Sequence, residues 1–171
     1  SSSDIKALLT IYCPICNPST SVKSEILQNH HYDTNYPHAE DYGLWCDIAA
    51  DNGKFYNTPQ DLLTYRIHPG QISQVKKQIA IESFRRVQKQ YVKKILDENI
   101  APAAMPLKAR LGCGLSFMKK LNRKIPGISL GANYQIYAEF QYRGNGWLTP
   151  FIRLERLLVA IYLTFFAEMR L

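Results

Sequence analysis

The chain has 171 residues, 46% of them hydrophobic, with a pI of about 9.2 and a formal net charge of +7. That is enough chain for one domain, or one domain with an appendage, and its four cysteines (Cys13, Cys16, Cys46, Cys113) are too sparse for a disulfide framework. Charge is divided unevenly: residues 1–70 hold four Lys/Arg against eight Asp/Glu, net −4, and residues 71–171 hold 17 against six, net +11, so the basic part suits anionic surfaces.

In chain order, "ALLTIYCPI" (7–15) reads as a short strand entering the turn "CNPST", and "SVKSEIL" (21–27) as a short helix with Ser21 as a cap. The first residues show no basic segment ahead of a long apolar run, so no signal peptide is expected and a reducing cytoplasm is. "QNHHYDTNYPHA" (28–39) is polar and aromatic with a proline, hence a loop. From Asp41, the apolar residues Leu44, Trp45, Ile48 and Ala49 form the stripe of an amphipathic helix. "KFYN" after the Asn-Gly turn reads as a brief strand, and "DLLTYRIH" (61–68) as another, ending at Pro69-Gly70. The clearest helix runs from its cap, Ser73, to about Leu96, with Lys76, Lys77, Arg85, Arg86, Lys89, Lys93 and Lys94 on its polar face. Residues 97–106 form a linker, 107–125 a basic amphipathic helix, and 126–147 mainly loop; the stretch from Pro150 is expected to be helical. Its run "LLVAIYLTFFA" (157–167) is eleven residues, about 16 Å as a helix, too short for a bilayer core of about 30 Å.

Four constellations bear chemistry. Cys13-Pro-Ile-Cys16 is a redox dithiol or half a zinc site, with His30, His31 and His38 loosely completing a Cys2His2 order. The histidine spacing is poor and no helix begins at Cys16, so buried thiols are the favoured reading. Glu40-Asp41 opens a helix, where the dipole favours carboxylates on structural grounds and also favours their charged form. Arg66 and His68, at i and i+2, share one face if that segment is a strand; a planar guanidinium fits phosphate oxygens and imidazole ligates divalent metals. The basic face of 73–96 is expected to be solvated, since no zinc finger, RRM or KH signature accompanies it, and no nucleic-acid partner is expected. A small basic module binding zinc or nucleic acid is the rival reading, and a non-catalytic interaction remnant a third.

Together the second and third constellations are far more specific. "HAEDYGLWCDIAADNGKFYNTPQDLLTYRIHPGQIS" (38–73) resembles the second half of the catalytic domain of bacterial family 2 glycosyltransferases. The shared pattern is an acid pair, an aromatic, Leu-Trp, a helix, a glycine turn, a short strand, then Leu-x-x-Tyr-Arg-x-His-x-x-x-x-Ser. "NPSTSVKSEIL" resembles the preceding acceptor-side segment. The look is closest to lipooligosaccharide or capsule hexosyl- and N-acetylhexosaminyltransferases.

The resemblance implies an α/β fold, a partial GT-A (Rossmann-like) domain over residues 1–100, helix-rich, with a basic helical and loop extension over 101–171. It implies an inverting transfer from a nucleotide-sugar, a UDP-sugar by expectation, to a saccharide or lipid-linked acceptor, with Mn2+ or Mg2+. Asp41 then corresponds to the catalytic base and Glu40 to its neighbour. Trp45 and Leu44 support the helix beneath the site, with Trp45 beside the substrate. Arg66, Gly70 and Ser73 close over the diphosphate, and His68 contacts the metal. The family's metal-binding D-x-D triplet is absent from this sequence. The chain therefore reads as an acceptor-side half without its donor-binding half, inactive by itself. The last helix is expected to rest on an anionic membrane, on the missing half or on a second subunit.

Overall fold

The computed structural model describes residues 1–64, 66, 75–97, 107–142 and 161. The first apolar run is not a strand: α1 spans Ser2–Leu8 and takes in only Ala7 and Leu8, and residues 9–15 follow as turns and irregular chain. The Ser1 hydroxyl accepts from the Asp4 N–H at 3.2 Å while the Asp4 carboxylate accepts from the Ser1 backbone, a capping box that secures two otherwise orphaned donors. Ala7, Leu8, Leu9 and Ile11 are all buried; a continuous apolar run of this length fits a buried helix end as well as a strand.

A 3-10 turn at Asn17–Ser19 and a short α2 at Ser24–Leu27 follow, then the loop to α3, Glu40–Ala50. The end of α3 is closed by hydrogen bonds from Asn52 N–H to Ala49 O (3.2 Å) and from Gly53 N–H to Ile48 O (2.8 Å), with Asn52 left-handed at φ 62°. Beyond it, residues 54–64 adopt no regular structure, so the expected strand at "KFYN" is absent. A strand needs a neighbour to pair its backbone, and none of the described residues offers one. Of the expected strand 61–68, residues 61–64 and 66 are likewise irregular and the remainder lies outside the described residues.

The basic helix is α4, Lys77–Leu96, and the next is α5, Leu107–Lys124. The stretch expected to be loop contains α6, Leu130–Tyr142, which buries Ala132, Asn133, Ile136 and Tyr137 at i, i+1, i+4, i+5 spacing. Among the described residues the fold is helical and contains no strand, so the helix-rich part of the expectation holds and its sheet is not seen.

Helix α3 packs on α4, α4 on α5, α5 on α6 and α6 on α1. One apolar cluster joins them, with Leu9, Tyr42, Leu44, Tyr91, Phe117, Met118, Leu121 and Tyr137 among its fully buried members. Buried phenols need partners, and both Tyr42 and Tyr91 find backbone at the end of α1: Tyr42 OH donates to Leu9 O, and Tyr91 OH to Lys6 O at 2.9 Å. Gln88 Nε2 adds a bond to Thr10 O at 2.7 Å. These three contacts fix α3 and α4 against the turn that leads to Cys13.

Candidate functional site

The site is built on the first turn of α3. The chain enters through His38, left-handed at φ 66°, a region that histidine tolerates better than most residues. Ala39 is the N-cap and supplies no side-chain acceptor. The two acids that follow face the positive end of the helix, where carboxylates are favoured. Asp41 Oδ1 accepts from the Tyr42 N–H at 2.8 Å; Oδ2 has no partner among the described residues and remains an acceptor. Both acids are half-buried, which holds them in place while leaving them reachable.

One turn on, Leu44 and Trp45 are buried at 1% and 3% exposure. A helical side chain leans toward the preceding turn, so Trp45, at i+4 from Asp41, lies beneath the acid pair. Its indole N–H is buried without a hydrogen-bond partner. In the same first turn, the Tyr42 ring stacks on Phe84 of α4, centroids 4.2 Å apart and planes 9° from parallel. Burial holds the Tyr42 phenol far above its ordinary pKa, so it stays protonated as a donor to Leu9 O.

Cys13 is the neighbour that the sequence does not point to. Burial pushes its thiol up to about 11, and the nearby charge of Asp41 adds to that shift; as a thiol, Sγ donates to the Ile15 carbonyl at 3.4 Å. A dithiol nucleophile or zinc ligand needs the opposite shift. Cys16 is exposed and Cys46 is buried, its thiol also held well above its ordinary value by burial. Among the described residues no group of three His, Cys, Asp or Glu is placed to hold a metal. The Cys13/Cys16 zinc reading thus finds no support in the fold.

Arg66 is exposed and has no regular structure. His68, Gly70 and Ser73 lie outside the described residues. The described residues therefore assemble Asp41, Glu40, Trp45 and Cys13 around one helix start and do not by themselves form the donor set of a divalent ion. No helix described is long and apolar enough to cross a membrane.

No family model matches the chain, and no solved structure does. A protein of Haemophilus influenzae named "Uncharacterized glycosyltransferase" is 31% identical over 99 residues, which cover 57% of this chain and 28% of that protein. The chain thus spans little more than a quarter of the length of the curated relative it matches.

Proposed function

We propose that this chain carries the acceptor side of a glycosyltransferase of the family 2, GT-A type, which transfers a sugar with inversion from a nucleotide-sugar, a UDP-sugar in the first instance, to a saccharide or lipid-linked acceptor in cell-surface polysaccharide or lipooligosaccharide assembly. The observation that carries this reading is the similarity to a protein named as a glycosyltransferase. The half-buried acid pair at the start of α3 supports it.

In this reading Asp41 is the base. Its free carboxylate oxygen takes the proton from the acceptor hydroxyl as that oxygen bonds to the anomeric carbon. The bond from that carbon to the diphosphate breaks, and its electron pair leaves with the nucleoside diphosphate. Glu40 places the acceptor. Trp45 gives the pair a rigid floor, so that the carboxylate need not reorganise during attack. Arg66, with Gly70 and Ser73, binds the departing diphosphate through its planar fork. His68 is the residue assigned to a divalent ion, Mn2+ or Mg2+, which when bound neutralises charge on the leaving group. The greater part of the relative lies outside the matched stretch, and in this reading donor binding belongs to chain outside these residues.

The test uses the complete polypeptide that carries these residues, with UDP-sugars, Mn2+ and saccharide acceptors. Asp41→Asn is expected to lower kcat on the order of 10²–10⁴-fold with donor binding near wild type. Loss of donor binding instead removes the base assignment, and turnover by the 171 residues alone removes the requirement for a donor half.

Membrane association belongs to the same reading. Arg85, Lys89 and Lys93 are exposed and recur every fourth residue along α4, a spacing at which like charges repel and which an anionic surface relieves. Sedimentation with anionic and with neutral vesicles tests it. Salt-sensitive binding to the anionic vesicles alone is expected; equal, salt-independent partitioning overturns it.

A further inference from the structure

Tyr36 lies in the loop before α3, yet it is 9% exposed. Its ring lies against Gly43 of α3: a Cβ at that position would meet Tyr36 Cδ2 at 3.6 Å and Val87 Cγ2 at 3.8 Å. The loop thus packs against both helices at once. Two residues of α4 then grip it. The Tyr36 hydroxyl donates to Gln90 Oε1 at 2.5 Å, and the Arg86 guanidinium lies 5.2 Å from the centre of the Tyr36 ring, within cation–π range. The same guanidinium donates from Nη1 to the Asn35 carbonyl at 3.2 Å. Arg86 and Gln90 are four residues apart, hence on one face of α4.

From Tyr36 the contacts run on into α3. The Ala39 N–H donates to Tyr36 O at 2.9 Å, and the Gly43 N–H donates to Ala39 O at 3.0 Å. Glu40 and Asp41 sit inside that chain of bonds. A helix start without a side-chain cap frays readily, and this one lacks such a cap. Tyr42 anchors the inner side of this turn through Leu9 O and Phe84, and the grip of α4 on the loop holds its entry.

We propose that Arg86 and Gln90 are positioning residues: by clamping Asn35 and Tyr36 they fix the first turn of α3 and keep the Glu40–Asp41 pair in the geometry that transfer uses. The inference rests on the glycosyltransferase reading. The clamp touches neither the acceptor nor the reacting atoms, so it acts on the rate of the chemical step through Asp41. Misplacement of a base by about 1 Å costs up to about 10²-fold.

The experiment measures kcat, donor KM and amide exchange in the complete polypeptide. Tyr36→Phe and Gln90→Leu each break the same hydrogen bond. Each is expected to lower kcat about 10-fold with donor KM unchanged, and to speed exchange of the Ala39 and Gly43 amides. The double variant is expected to lose no more than either single one. Gln90→Glu keeps an acceptor for the phenol and is expected to restore the wild-type rate, a rescue that a purely structural role would not give. Lys77→Ala, on the exposed start of α4, is the control and keeps the wild-type rate. If Asp41→Asn abolishes transfer but both clamp variants keep the wild-type kcat, the inference fails and the functional reading stands. If they slow turnover without altering exchange of either amide, the clamp is not the cause and the inference also fails. If the wild-type polypeptide transfers no sugar, the functional reading fails and the positioning role with it.

Discussion

The α3–α4 pair and the α5–α6 pair are both packed helices in one apolar core, but they place their polar contacts in opposite ways. Between α3 and α4 these contacts lie toward the rim: Gln90 and Arg86 hold the preceding loop, and Lys94 Nζ meets Asp47 Oδ1 at 2.6 Å. Between α5 and α6 the polar contact is internal. Asn122 and Asn133, 9% and 0% exposed, exchange side-chain hydrogen bonds of 2.8 and 3.3 Å. Each also reaches a carbonyl, Asn122 to Met118 O at 3.0 Å and Asn133 to Ile128 O at 3.3 Å. Rim contacts contribute little to stability and much to where a surface group sits. A satisfied buried pair sets the register of two helices, and breaking it strands a desolvated partner. The first arrangement fits a pair that carries a site, and the second a pair that holds a scaffold.

The largest stability effect is therefore expected in the scaffold. Asn133→Ala leaves Asn122 without its side-chain partner and opens a void, and should cost about 2–3 kcal/mol by urea denaturation. Replacing both residues with Leu should recover part of that loss, because no desolvated amide remains. A double variant that is less stable than Asn133→Ala would mean that the volume of the pair, not its hydrogen bonding, governs the interface.

Next comes the end of α3. A Cβ at Gly53 would lie 2.4 Å from Ile48 Cγ2 and 2.7 Å from the Ile48 carbonyl oxygen. Backbone cannot give way there without loss of the Gly53–Ile48 bond that closes the helix. Gly53→Ala should thus cost about 1–3 kcal/mol, and Asn52→Gly, which keeps the left-handed turn, well under about 1 kcal/mol. Thermal denaturation of the two variants side by side checks the order.

The same contrast explains what the sequence disclosed. Helices α3, α4 and α5 were legible because their apolar positions recur at helical spacing, as Leu44, Trp45, Ile48 and Ala49 do. Helix α6 was hidden because its buried stripe includes Asn133, and because Gly131 and several tyrosines lower its helix propensity. The buried amide makes sense only once Asn122 is opposite it. Helix α1 was hidden because it is only seven residues long and shares just Ala7 and Leu8 with the apolar run, although Ser1 and Asp4, three apart, are the sequence signature of the capping box that begins it. Of the site, Glu40 and Asp41 could be found from their position before an apolar stripe. Cys13 was singled out for its spacing to Cys16, but its place beside Asp41 was not legible, and neither was the clamp: Tyr36 and Gln90 are 54 residues apart, and nothing local to either announces the other.

The link between α1 and α6 gives a smaller, pH-dependent effect. Partial burial raises the Asp4 carboxyl, but hydrogen bonds to it, that from Ser129 N–H at 2.6 Å foremost, outweigh this and leave it below the usual carboxylate range. A depressed folded-state value gives stability that is present above the unfolded carboxylate range, near pH 4, and is lost as pH falls through the folded value. Asp4→Asn should therefore be less stable than wild type near neutral pH, and the gap should close below about pH 4. Urea midpoints at about pH 7, 5 and 3 follow the gap; a constant difference would mean that the amide, not the charge, is what Ser129 notices.

The smallest effect is expected at the other rim contact of α3 and α4. Lys94 and Asp47 are 55% and 49% exposed at their side chains. The hydrogen bond to Asp47 raises the Lys94 ammonium above its ordinary value, but water and salt screen a pair this open. Lys94→Ala should cost less than about 0.5 kcal/mol, and less still in about 0.5 M salt. Asp47 lies in the second turn of α3, beyond the bonds that tie Tyr36 to Gly43. Removing its partner should therefore leave exchange of the Ala39 and Gly43 amides unchanged. If Lys94→Ala speeds that exchange as much as Tyr36→Phe does, the first turn of α3 is held by the whole helix pair, and the distinction between a positioning clamp and an ordinary rim contact disappears.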